Sequence, residues 1–144
     1  MIENAWCVLC TRCITDSSSN NVTLTDVVEQ INVPPDAPIP GTAPVQMDFV
    51  CLWYRSNPTQ PARATARTSL IRPDGTSSPN PVLVTIDLTQ FQRLRSIIRI
   101  PAIEIISSGF YYFRVELRLD GEDNWRPISR VPLQVVLGVP AAVQ

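Results

Sequence analysis

Apolar and polar residues alternate with period two through most of this chain, and no stretch keeps a helical period for three turns. The clearest run is Phe110 to Leu119. It sets Tyr111, Phe113, Val115, Leu117 and Leu119 on one face and Tyr112, Arg114, Glu116 and Arg118 on the other. Val82 to Leu88 alternates in the same way. Arg93 to Ile100 opposes Leu94, Ser96, Ile98 and Ile100 to Arg93, Arg95 and Arg99. Further strands are expected over Trp6 to Ile14, Val22 to Val33, Val45 to Arg55, Arg63 to Arg72 and Arg126 to Leu137. Val45 to Arg55 is apolar on both parities at its centre, which predicts a central, covered strand. One helical turn is expected at Thr89 to Gln92.

Turn chemistry divides these segments. Asp16-Ser17-Ser18-Ser19-Asn20-Asn21 is a cluster whose side chains bond their own backbone, so the first two strands should form a hairpin. Pro73-Asp74-Gly75-Thr76 and Asp120-Gly121-Glu122-Asp123 mark two more turns. Residues 34–44 carry five prolines, too many missing donors for a ladder, and should form a stiff connector from one sheet to another. Pro127 and Pro132 put the last strand at a sheet edge, followed by an apolar tail over 138–144. Seven to eight strands at this spacing predict an all-β, antiparallel two-sheet β-sandwich, immunoglobulin-like, as a single domain over 1–144.

Composition removes most enzyme classes. The 144 residues include no histidine and no lysine, so all 12 basic residues are arginine. Ser-His-Asp and Cys-His catalysis, a P-loop lysine, a Schiff-base lysine and imidazole metal sites all lose a required residue. Apolar residues at 44% exceed what a disordered chain carries. The acidic opening Met1-Ile2-Glu3 and the broken apolar run from Ile97 to Ile106 fit neither a secretory signal nor a membrane span. A cytoplasmic protein with reduced thiols is therefore expected. Charge is uneven: residues 1–54 hold six carboxylates against Arg12, whereas 55–118 hold nine arginines against four carboxylates. Pairing of acidic with basic strands inside one sheet is the plain expectation; two opposed patches that recruit a partner are the other.

Three groups of side chains could carry chemistry. Cys7, Cys10 and Cys13, with Cys51 farther on, have the residue types of a zinc or iron–sulfur site. On a strand, however, Cys7 and Cys13 would share a face and Cys10 would take the other, which favours packing over ligation. The Asp120-Gly121-Glu122-Asp123-Asn124 loop has oxygen ligands for calcium but lacks EF-hand spacing, so a plain hairpin is expected. Trp6, Trp53 and Trp125 are expected in the core. Arg93, Arg95, Arg99, Arg114 and Arg118 each keep one parity along their strand, which predicts an arginine-rich sheet face that binds an acidic partner.

The order of motifs adds a resemblance. Cys7-Val8-Leu9-Cys10, then Val22 to Pro34, the Pro73-Asp74-Gly75 turn, Ser108-Gly109-Phe110-Tyr111-Tyr112-Phe113 and Val131-Pro132-Leu133-Gln134 follow one another along nearly the whole chain. This resembles a family of small uncharacterised bacterial proteins, a domain of unknown function. The resemblance implies an immunoglobulin-like β-sandwich and assigns no residue a role. The expected function is thus a non-enzymatic protein-interaction or assembly module, binding a partner or a second copy through an edge strand and the arginine face. No cofactor, nucleic acid or small molecule is expected. The alternative is a metal- or redox-active protein using Cys7, Cys10, Cys13 and Cys51.

Overall fold

A computed structural model describes residues 1–138 as nine strands, with no helix among them. They are β1 (Ile2–Thr15), β2 (Val22–Val27), β3 (Gln30–Val33), β4 (Gly41–Arg55), β5 (Ala62–Ile71), β6 (Val82–Leu88), β7 (Arg93–Ile105), β8 (Gly109–Leu119) and β9 (Arg126–Leu137). One sheet, A, runs β2-β1-β4-β7; the other, B, runs β3-β9-β8-β5-β6. Inward side chains of both sheets share one core, in which Leu9, Phe49 and Trp53 of sheet A meet Tyr111, Val115 and Leu133 of sheet B. Phe49 and Phe113 stack across the gap with ring centroids 5.3 Å apart. This two-layer packing is consistent with a β-sandwich.

The strand count exceeds the expected seven to eight because the segment Val22 to Val33 is two strands. Val28 donates its amide to the Leu9 carbonyl in sheet A at 2.7 Å, and the next residue, Glu29, accepts from the Gln134 amide in sheet B at 3.0 Å. The chain therefore changes sheets within two residues. β3 then pairs with β9 in parallel, so sheet B is mixed rather than purely antiparallel. Thr89 to Gln92 forms bends instead of the expected helical turn, because the Asp87 carboxylate accepts from the Thr89 amide and hydroxyl at 3.0 and 2.6 Å. That capped turn needs no helix.

β9 lies between β8 and β3, with a more complex edge than its prolines indicate. Its first half, where Pro127 and Pro132 fall, pairs with β8 alone; Gln134 to Leu137 pair with β3 on the other side. Gly138 is then held by its amide to the Val33 carbonyl at 3.0 Å. The end of the last strand is thus covered, up to Gly138, by β3 of the same chain, and the rest of the apolar tail, 139–144, lies outside the described residues. No helix among the described residues is long and apolar enough to cross a membrane.

Candidate functional site

The outer face of sheet B concentrates arginine and aromatic side chains. Register sets Arg67 of β5 opposite Glu116 of β8, Thr65 opposite Arg118, and Arg114 of β8 opposite Arg130 of β9. Arg67 donates from Nε and Nη2 to one oxygen of Glu116 at 3.0 and 2.9 Å. Arg114 Nε approaches the same oxygen at 3.5 Å, so one half-buried carboxylate is shared by two guanidinium groups. The indole of Trp125, in the β8–β9 loop, carries two cations, with Arg67 Cζ at 4.1 Å and Arg118 Cζ at 4.7 Å from its ring. Arg130 lies over the Tyr112 ring at 4.1 Å.

This arrangement leaves positive charge unspent. Like charges directly opposite on a sheet are unfavourable, and Arg114 and Arg130 are such a pair. The aromatic rings hold the guanidinium planes in place without neutralising them. Arg118 and Arg130 have no carboxylate partner among the described residues. Glu116 is the one acid in the middle of a patch with four arginines. An anionic surface laid on this face would relieve the cross-strand repulsion.

The five arginines expected on one face fall on two. Arg114 and Arg118 belong to the patch on sheet B, whereas Arg93, Arg95 and Arg99 lie on β7 of sheet A. Because the sheets pack face to face, outward side chains of the two strands point in opposite directions. Arg95 acts locally, where its Nη2 donates to the Asn20 carbonyl and Oδ1, each at 2.8 Å, and pins the β1–β2 turn over sheet A. Arg99 approaches buried Asp48 at 3.5 Å, and Arg93 is exposed. Of the tryptophans expected in the core, only Trp53 is fully buried; Trp125 lies on the outer face beneath its arginines. The signal in the sequence is a tryptophan beside a turn of four polar residues and a glycine.

The cysteines separate into two pairs. Cys51 is in the main core with Cys7 packed beside it, whereas Cys10 and Cys13 share a smaller cluster with Val50, Trp6, Val8, Val22 and Leu24. The expected parity fails at Cys13, which is buried in the same cluster as Cys10 although the β1–β2 register is the same on both sides of the unpaired Thr11 and Asp26. Cys10 and Cys13 are buried, and burial pushes both thiols up. The Cys13 amide donates to Asp48 Oδ2 at 2.9 Å. Among the described residues no three or more Cys, Asp or Glu side chains are placed to hold one metal ion, so the four cysteines do not converge. The Asp120 loop folds as a turn, with the Glu122 amide on the Leu119 carbonyl at 3.0 Å.

No family model matches the chain, and no curated protein matches it. Among solved structures it is similar to a family 123 glycoside hydrolase from Clostridium perfringens, at 10% identity and a TM-score of 0.47, over 95% of this chain and 28% of that one. It is also similar to the CooA pilin subunit from enterotoxigenic Escherichia coli, at 10% identity and a TM-score of 0.28, over 92% of this chain and 98% of that one. The chain thus spans little more than a quarter of the hydrolase's length. Neither likeness is close enough to transfer a role.

Proposed function

We propose that the protein is a non-enzymatic interaction module that docks an acidic protein surface on the outer face of sheet B. The observation that carries this is the fixed set of Arg67 and Arg118 on Trp125 and Arg130 on Tyr112, with Arg114 beside them and Glu116 as the acid shared by Arg67 and Arg114. Arginine, tryptophan and tyrosine are the residues that dominate protein–protein binding energy, and ordered arginines lose little entropy on binding. The same mixture could stack single-stranded nucleic acid, but a sequence pI near 5.3 and an acid at the patch centre favour a protein partner.

We also read the fold more finely as immunoglobulin-like. The strand order in sheet B, with β8 flanked by β9 and β5, supports this. So does Tyr111 at the start of β8, whose hydroxyl donates to the Ser107 carbonyl at 2.8 Å and accepts from the Ile106 and Ser107 amides. Such a tyrosine corner is a mark of that fold.

Titration with an acidic probe, a glutamate-rich peptide labelled with a fluorophore, tests the docking reading. Binding is expected to fall about tenfold or more for the Arg118→Glu, Arg130→Glu double variant, and to weaken steeply with salt. Arg93→Glu, on the opposite sheet, is expected to bind as the parent does. Equal losses from both variants would remove the site from sheet B. Preference for a single-stranded oligonucleotide over the peptide would replace the partner class.

A further inference from the structure

Cys7 and Cys51 are directly opposed across the antiparallel β1–β4 ladder. Both belong to the inward face of sheet A. Opposed residues of an antiparallel pair have Cα atoms about 4.5–5.5 Å apart, which lies within the range of about 4.4–6.8 Å that a disulfide spans. The cysteines are free thiols. Cys10 is opposite Asp48 and Val27 instead, and Cys13 is opposite Leu24, so no second cysteine pair is in register.

The pair is also reachable from solvent on one side. β2 and the Val28 that follows it cover β1 only from Leu9 onward, and β3 covers β9 only from Gln134 onward. Ile2 to Val8 and Arg126 to Leu133 therefore leave adjacent open edges at one margin, where β1 packs against β9. Cys7 is half-buried at that margin, with Asn4 Oδ1 3.5 Å from its Sγ and Ser129 of β9 within hydrogen-bonding reach, while Cys51 lies behind it in the core. We propose that Cys7 and Cys51 are a reversible dithiol–disulfide site that reacts with low-molecular-weight disulfides, Cys7 as the attacking thiol and Cys51 as the resolving one.

The chemistry balances. The Cys7 thiolate attacks one sulfur of the small disulfide, expels one small thiolate and leaves a mixed disulfide on Cys7. The Cys51 thiolate then attacks Cys7 Sγ, closing the cross-strand bond and expelling the second small thiolate. Two protein thiols are oxidised by two electrons in all, the small disulfide is reduced to two thiols, and the two protons end on those thiols. Hydrogen bonding from Cys51 lowers the Cys7 thiol against the opposing effect of burial, and Ser129 adds to the lowering. Its hydrogen bond with Cys7 and its burial push Cys51 up. The division of roles follows the difference in exposure, with Cys7 half-buried at the margin and Cys51 in the core.

The test treats the full reduced chain with glutathione disulfide, quenches in acid and maps peptides without reductant. A chain lighter by two hydrogens, with Cys7 linked to Cys51 and the link reversed by dithiothreitol, is the expected result. Cys7→Ser, at the half-buried position, is expected to leave Cys51 unreacted in the folded protein. Cys51→Ala is expected to stop at a glutathione adduct on Cys7. A parent protein that stays reduced, that keeps the adduct on Cys7, or that links Cys10 or Cys13 instead would overturn the proposal, whether or not the variants fold.

Discussion

Phe113 and Arg114 are neighbours on β8 with opposite surroundings. The Phe113 ring stacks on Phe49 in the shared core, whereas Arg114 lies on the outer face beside Glu116. Phe113→Ala is expected to cost about 3–5 kcal/mol, since it removes a packed aromatic and leaves a cavity that the two sheets cannot close. Arg114→Ala is expected to cost less than about 1 kcal/mol, because its ion pair is long and partly exposed. Urea denaturation of both variants checks the pair, and equal midpoint shifts would contradict this facing of the strand. The alternation of this strand makes its facing legible from residue order alone. Trp125 is not legible in that way. Its position depends on two arginines from β5 and β8, whose register with each other no local pattern encodes. The facing of Cys13 is likewise hidden, since Thr11 and Arg12 are both exposed and Cys13 is buried beside Cys10, a departure from alternation that residue order does not announce.

Among the elements, the turns are held by short carboxylate motifs that bond their own backbone. Asp16 accepts from the Ser18 amide and hydroxyl at 2.9 and 2.8 Å, Asp74 from those of Thr76 at 2.9 and 2.7 Å, and Asp87 from those of Thr89. These bonds hold all three carboxyls below the usual aspartate range, although Asp16 and Asp74 are exposed and Asp87 is only half-buried. In the unfolded chain the carboxyls return to about 3.9. Their contribution to stability is therefore complete above that value and is lost as pH falls through the lower folded-state values. The Asp74→Asn, Asp87→Asn double variant is expected to lose less stability than the parent between about pH 6 and about pH 2.5. Thermal melts across that interval measure the difference, and parallel curves would contradict it. The turns at Asp16 and Asp74 can be read from their Asp-x-Ser and Asp-x-Thr spacing, whereas the same spacing at Asp87-Leu88-Thr89 runs into a stretch that also fits a helical turn. Within Val22 to Val33 the step from β2 to β3 is marked only by broken alternation, at Thr25-Asp26, Val27-Val28 and Glu29-Gln30, with no glycine or proline to announce a turn. What divides it is tertiary: successive backbone groups at Val28 and Glu29 are claimed by different sheets.

Across the whole molecule, charge remains divided after folding. The expected pairing of acidic with basic strands occurs at one place, Asp48 with Arg99; the other ion pairs join residues between Arg63 and Asp120. Asp16, Asp26, Glu29 and Asp36 are exposed around β2 and β3 and make no ion pair among the described residues. The arginine patch on sheet B occupies a different surface of the same chain. Two unlike surfaces that complement each other form a heterologous contact, which extends from copy to copy without closing on itself unless the geometry makes a ring. Association at micromolar concentration and low salt is therefore expected, and light scattering should show it dissolving as ionic strength shortens the reach of each charge. The Asp26→Arg, Glu29→Arg variant would lose the acidic surface, and the Arg118→Glu, Arg130→Glu variant the basic one. Each alone is expected to be monomeric. Mixed in equal amounts, the two should stop at a one-to-one dimer, because the first retains the arginine patch and the second the acidic margin. Reversal of Arg95 or Arg99 is a poor substitute, since it would release Asn20 or isolate buried Asp48 on sheet A. A parent protein that is monomeric at low salt, yet still binds the glutamate-rich peptide, would show that the patch serves a different partner. Monomeric behaviour with no peptide binding would remove the patch from function altogether.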